Sequence, residues 1–154
     1  MTTIPRKRKR RVIGWREWVG LPDLDVKGIK AKIDTGARTS AIHAWNIARH
    51  EEEGRQWVEF DLHPVQRENQ TVISCRAPLI DMRTIRSSSG QTEHRYVIRT
   101  KLRLGGRTWL IDLSLTNRDE MGFRLLLGRA AVRRRVIVDP GRSFLIPRPD
   151  SWPD

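Results

Sequence analysis

The sequence predicts an all-β fold, a barrel or sandwich with one short helix near its C-terminal end. Three observations carry that expectation. Short segments of alternating apolar and polar residues recur along the chain. Turn residues separate them at regular spacing. The pair Gly105-Gly106 lies between two such runs, the signal of a two-residue hairpin. A chain of 154 residues is enough for one domain with a proper core, and neither an internal repeat nor a second domain is visible.

Residues 1–11 are polar and basic and read as a disordered tail. The folded domain is expected over residues 12–146. It opens with a strand from Val12 to Leu21 that puts Ile13, Trp15 and Val19 on one face, with Glu17 in the same register. Pro22-Asp23 is a turn signal. A second strand runs from Gly28 to Asp34, where Ile29, Ala31 and Ile33 alternate with Lys30 and Lys32. Thr39 to Ile47 is expected to return antiparallel, and His50 to Gly54 to turn the chain. Gln56 to His63 and Thr71 to Arg76 are further strands, with a turn over Pro64 to Asn69. Met82 to Thr92 contains Ser87-Ser88-Ser89-Gly90 and reads as a flexible polar stretch. Arg95 to Leu104 and Arg107 to Leu115 form the hairpin. Leu125 to Leu127 is a short buried strand and Arg129 to Arg134 a short helix. Arg135 to Val138 and Ser143 to Ile146 complete the sheet. Residues 147–154, with Pro147, Pro149 and Pro153, form a C-terminal tail.

The most informative stretch is Ile33-Asp34-Thr35-Gly36-Ala37. An alternating strand ends on a carboxylate, and small residues then permit a sharp turn. A carboxylate held on a rigid element with backbone amides beside it suits acid/base chemistry on a ligand. The bland reading is a turn aspartate that caps local amides. A late segment, Phe123-Arg124-Leu125-Leu126-Leu127-Gly128-Arg129, shifts the balance toward the catalytic reading.

Those two stretches together resemble the retropepsin-like aspartic peptidases. In that family an apolar-apolar-Gly segment packs behind the catalytic loop. The longer run Lys30 to Ala44 is similar to one bacterial family labelled an ATP-dependent zinc protease, whose fold is of the retropepsin type. Ile13-Gly14-Trp15-Arg16-Glu17-Trp18, Leu115-Thr116-Asn117-Arg118 and Val138-Asp139-Pro140 match it too, so the resemblance covers roughly residues 12 to 146. It implies a closed acid-protease barrel and an aspartic-type endopeptidase. It also implies Asp34, Thr35 and Gly36 in the catalytic loop, with Ala37 leaving space near the cleft floor and Ala37 and Arg38 placed to meet substrate. Leu126, Leu127, Gly128 and Arg129 would support that loop. One triplet per chain supplies one aspartate, so the dyad requires a C2 homodimer. Ser88, Ser89 and Gly90 are the candidates for a flap over the substrate. Arg38 departs from the viral pattern. It would bind a substrate carboxylate or favour activity nearer neutral pH. The resembling family is associated with ATP-grasp ligases that add glutamates. That suggests poly-glutamate tails as substrate, held by Arg38, Arg83, Arg86, Arg118 and Arg129.

Composition bounds the rest. There are 30 Lys and Arg against 18 Asp and Glu, a formal net charge of +12, which favours anionic partners. The rival to the peptidase is therefore a non-enzymatic basic module binding RNA or the ribosome, with nucleic acid held by the tail at Arg6 to Arg11. Its tryptophans would stack on bases only if exposed, and most sit in strand patterns. The other rival is a zinc-dependent peptidase. His50-Glu51-Glu52-Glu53 lacks the second histidine of a His-Glu-x-x-His site, and no Walker loop exists. No metal and no cofactor is expected. His43 reads as a structural histidine, and His50, His63 and His94 as surface residues. Cys75 is the one cysteine, no apolar stretch approaches a membrane span, and no secretory leader is visible, so the expectation is a cytoplasmic protein.

Overall fold

The structure is a computed structural model and describes residues 9–66, 70–86, 90–117 and 122–149. It is built almost wholly of strands. These are β1 (Arg11–Gly14), β2 (Arg16–Leu21), β3 (Val26–Asp34), β4 (Ser40–Glu52) and β5 (Arg55–Leu62), then β6 (Ile73–Arg86), β7 (Thr92–Leu104), β8 (Arg107–Thr116), β9 (Leu125–Gly128) and β10 (Val136–Asp139). Among the described residues there is one α-helix, α1 (Arg129–Val132), which follows β9 directly. Eight strands hydrogen-bond in the order β2-β3-β9-β4-β5-β6-β7-β8, and the added pairings β2–β7 and β4–β8 bring the sheet back on itself. The all-β expectation holds. β1 and β10 pair in parallel as a separate two-stranded sheet.

The core comes from the inward positions of this ring. Leu21, Ile29, Ile42, Phe60, Ile98, Leu102, Leu113, Leu125 and Leu127 are all essentially inaccessible to solvent. β8 shows the rule most simply. Trp109, Ile111 and Leu113 point inward, while Leu110 and Asp112 face out. Among the described residues, no helix is long and apolar enough to cross a membrane.

Five local expectations need correction. Val12 to Leu21 is two strands, not one. The C-terminal segment passes directly over Gly14, where a Cβ would lie 2.3 Å from the Arg142 carbonyl oxygen. Trp15 donates its N–H to that oxygen and leaves the ladder. Second, Ser143 to Ile146 is not a strand, because the Leu145 and Ile146 amides bond the Glu17 side chain. Third, Ile73 to Arg76 and Met82 to Arg86, the opening of the supposed flexible stretch, are parts of one 14-residue strand, β6, which pairs with β7 out to Arg86↔Thr92; residues 87–89 lie outside the described residues. Fourth, His63 is half-buried rather than on the surface, stacked on Trp45 with ring centroids 3.7 Å apart. His43 is buried, as expected. Finally, the helix ends at Val132, two residues before its expected end.

Cys75 is buried and donates weakly to the Leu24 carbonyl oxygen. Burial, with the carboxylates of Asp25 and Asp61 nearby, pushes its thiol up to about 12. It stays protonated at neutral pH and is an inert core group there rather than a nucleophile.

Candidate active site

Asp34 is the last residue of β3. β3 and β9 run in parallel with Ala31↔Leu125, Lys32↔Leu126, Ile33↔Leu127 and Asp34↔Gly128 in register. The two stretches singled out in the sequence, whose paired residues are 94 positions apart, are thus adjacent strands that end side by side. Ile33 and Leu127 are buried behind them, which fixes the position of the strand end.

The loop after Asp34 is tied down by the residues after Leu127. Arg129 donates its backbone N–H to the Ala37 carbonyl at 2.8 Å, and Ala130 to that of Arg38 at 3.1 Å. The Arg129 guanidinium reaches the carbonyls of Gly36 at 3.2 Å and Thr35 at 3.5 Å. Ser40 accepts the Gly128 N–H at 3.0 Å on its buried hydroxyl. Gly128 itself is crossed so closely that a Cβ there would lie 2.5 Å from the Thr39 carbonyl oxygen and 2.7 Å from that of Arg38. We expect Gly128→Ala to displace this loop and to destabilise the fold by about 3 kcal/mol or more, since backbone cannot yield as a side chain does. Urea denaturation measures it; a loss below about 1 kcal/mol would show the close approach to be unimportant.

Within the loop, Asp34 Oδ1 accepts the Gly36 N–H at 3.1 Å, and its carbonyl accepts the Ala37 N–H at 3.2 Å. The local capping reading is therefore correct as a description of one oxygen. It leaves Oδ2 for other work. Asp34 and Ala37 are half-buried, and Thr35, Gly36 and Arg38 are exposed. Leu127 is buried and Leu126 partly so.

Beside the loop lies a cavity of about 670 Å³ whose wall includes Arg38, Thr39, Arg83, Arg99, Asp112 and Ala130. Asp34 is not in that wall; the cavity begins four residues on. Its guanidiniums differ in their partners. Arg83 pairs with Asp81 at 3.1 Å and Arg99 with Asp112 at 3.0 Å. Arg38 has no ion pair among the described residues. β7 leaves β8 after Val97↔Ser114, so Thr92 to Tyr96 pair only with β6. The far end of β6 and β7 is a two-stranded arm, and its Arg83 reaches the cavity.

Of the sequence candidates for the substrate site, Arg38 and Arg83 share this cavity. Arg129 does not; its side chain is spent on the carbonyls of the loop. Gly90 is exposed beyond the end of the arm. Ser88, Ser89 and Arg118 lie outside the described residues, as does the side chain of Arg86. Ser40, Arg99 and Asp112 were not foreseen. The signal for the last two is their cross-strand register, Arg99↔Asp112, which needs the β7–β8 hairpin alignment rather than nearness to a motif. No group of three or more His, Cys, Asp or Glu side chains is arranged to hold a metal ion among the described residues.

Comparisons with known proteins agree with the geometry. A protein of unknown function from Legionella pneumophila has a crystal structure that superposes with a TM-score of 0.72, at 27% identity, over 89% of this chain and 98% of that one. A "Probable alpha-L-glutamate ligase" of Shewanella pealeana is 48% identical over 135 residues, and one of Desulfotalea psychrophila 49% identical over 131. The match covers 88% and 85% of this chain, but the chain spans only 30% and 28% of the length of those relatives. The profile of the RimB-like family, described as retropepsin-like aspartic endopeptidase RimB, matches residues 12–149. The chain belongs to the RimB-like family of retropepsin-like aspartic endopeptidases.

Proposed function

We propose that the protein is an aspartic-type endopeptidase whose dyad is made of Asp34 from two copies of the chain, acting on glutamate-rich segments. The observation that carries this is the registered end of β3 against β9, with Asp34 opposite Gly128 and the loop after Asp34 pinned. Such a loop holds a carboxylate within the tolerance that proton transfer requires. Its tip, Thr35 and Gly36, is exposed, as a face that meets a twin must be. Thr35 would bond across the axis, and Gly36 would let the two loops approach closely.

Two carboxylates about 3 Å apart keep one proton between them. The ionised one takes a proton from a water held between the pair. The protonated one polarises the scissile carbonyl, and no covalent intermediate forms. The β6–β7 arm acts as the flap that closes over the bound chain.

The preference for acidic segments rests on the cavity. Arg38 offers a guanidinium with no ion pair among the described residues, and Arg83 and Arg99 offer two more that a substrate carboxylate can share. The relatives add a second support. This region is part of longer polypeptides named as glutamate ligases, so a glutamate-bearing chain is a reasonable common substrate. The single buried thiol suits a reducing cytoplasm.

A peptide-library digest read by mass spectrometry tests the reading. Cleavage should concentrate in glutamate-rich peptides and weaken steeply as salt rises, because these guanidiniums are open to solvent. Arg38→Gln should raise KM for an acidic peptide about tenfold, the worth of one charge-assisted hydrogen bond. It should leave KM for a neutral peptide unchanged. Equal turnover of neutral and acidic peptides at every salt concentration would remove the acidic-substrate part of the proposal.

A further inference from the structure

The excess positive charge is not used up by the cavity. Six exposed or half-exposed arginines lie on three segments that meet at a different place, around the β7–β8 turn and the end of α1. Arg11 donates from its guanidinium to the Gly105 carbonyl at 3.2 Å, which brings the start of β1 against that turn. Arg107, just past the turn, reaches the Arg135 carbonyl at 3.4 Å. The guanidiniums of Arg107 and Arg135 lie 5.9 and 5.0 Å from the ring centroid of Trp109. Arg133 and Arg134 precede Arg135 in the chain, and Arg10 precedes Arg11. Three remote segments thus converge on one basic surface.

Two further facts separate it from an ordinary solvated face. None of the six has an ion pair among the described residues, a lack they share with Arg38 and Arg129, but here six such charges lie on three adjoining segments. Arg134 holds φ = 64°, a left-handed conformation that glycine or asparagine adopts more easily. The turn after α1 therefore does not explain the arginine at that position. Concentrated, unpaired positive charge is costly to the fold through self-repulsion, and a bound polyanion relieves it.

We propose that this surface binds the phosphodiester backbone of a nucleic acid, as an activity separate from peptide hydrolysis. The chemistry favours phosphate over an acidic protein face. A protein–protein interface centres on a desolvated apolar cluster. Here the exposed apolar neighbours in β1 and β10 are only Val12 and Ile137. Trp109 is buried beneath its two arginines and offers no free face for base stacking, so the surface reads charge and spacing rather than sequence. The cavity wall shares none of the six, which makes the two activities separable.

Fluorescence anisotropy on the 154-residue chain tests this, with labelled 20-nucleotide single-stranded RNA, duplex RNA and duplex DNA as probes. All three should bind at low salt. On a single strand log K should fall against log salt with a slope near 4, at about 0.7 per phosphate for six contacts, and R133S/R134S/R135S should lower that slope by about 2. R133K/R134K/R135K should keep the slope, because a point charge satisfies a phosphate. A stronger hold on RNA than on DNA would identify a contact to the 2′-hydroxyl. The proposal is overturned if no probe binds, or if the serine variant keeps the full slope. Loss of the slope in the lysine variant would also overturn it, since that would assign the effect to folding. So would an equal loss in R38Q/R83Q, which would place the nucleic acid in the peptide cavity.

Discussion

Asp34→Asn should reduce peptide hydrolysis by about a thousandfold, the range lost with a general acid–base pair, while the protein stays folded. The geometry explains why the two effects separate. Asp34 Oδ1 accepts the Gly36 N–H at 3.1 Å, and an asparagine carbonyl oxygen can accept the same bond. The backbone contacts that pin the loop, from Arg129 to Ala37 and from Ala130 to Arg38, do not involve the side chain at all. Stability should change by no more than about 0.5 kcal/mol. What disappears is a carboxylate able to hold and release a proton. Mixed assemblies make the test sharper. If each site needs one Asp34 from each of two copies, equal amounts of wild-type and D34N chains, fully exchanged, should retain about a quarter of the activity. A fall to one half would mean that each chain works alone, and the dyad would have to be abandoned.

The parts of this molecule that were legible in the sequence are those where one residue type is forced by local geometry. Gly128 marks a close backbone approach that leaves no room for a Cβ. The alternation before Asp34 and the apolar run before Gly128 identify the strands that carry them. The β7–β8 hairpin was legible for the same reason, through Gly105-Gly106. What escaped notice depends on partners far away in the chain. β6 was cut short because Pro78 sits inside it and a register shift between Leu79 and Asp81 breaks the alternation that marks a strand. Arg99 and Asp112 become a pair only once two strands are aligned. Ser40 is one small polar residue among several until Gly128 is placed above it. In the same way Ser143 to Ile146 looked like a strand because Phe144, Leu145 and Ile146 are apolar; nothing local reveals that their amides bond a carboxylate 128 or 129 residues away.

That carboxylate gives the largest expected loss of stability. Glu17 is fully buried, and its side chain accepts three backbone N–H groups. Oε2 takes those of Gly14 at 2.6 Å and Leu145 at 3.0 Å, and Oε1 that of Ile146 at 2.9 Å. One side chain therefore ties the β1–β2 corner to the returning C-terminal segment, at the place where Arg142 crosses Gly14. Glu17→Gln keeps the shape but turns one acceptor into an N–H donor aimed at another donor. It should cost about 3 kcal/mol, the range for breaking a buried charge-assisted contact. Glu17→Leu leaves three amides without an acceptor and should cost more, about 4 kcal/mol or above. The midpoint of urea unfolding should fall in that order. Hydrogen exchange gives an independent readout. In the glutamine variant the Leu145 and Ile146 amides should lose protection while those of Leu113 and Leu127, deep in the ring, keep it. If Glu17→Gln costs under about 1 kcal/mol, the C-terminal segment is held instead by the packing of Ile146 and by the Phe144 ring, whose centroid lies 4.9 Å from the Arg16 guanidinium. The carboxylate would then be a consequence of that packing rather than its cause.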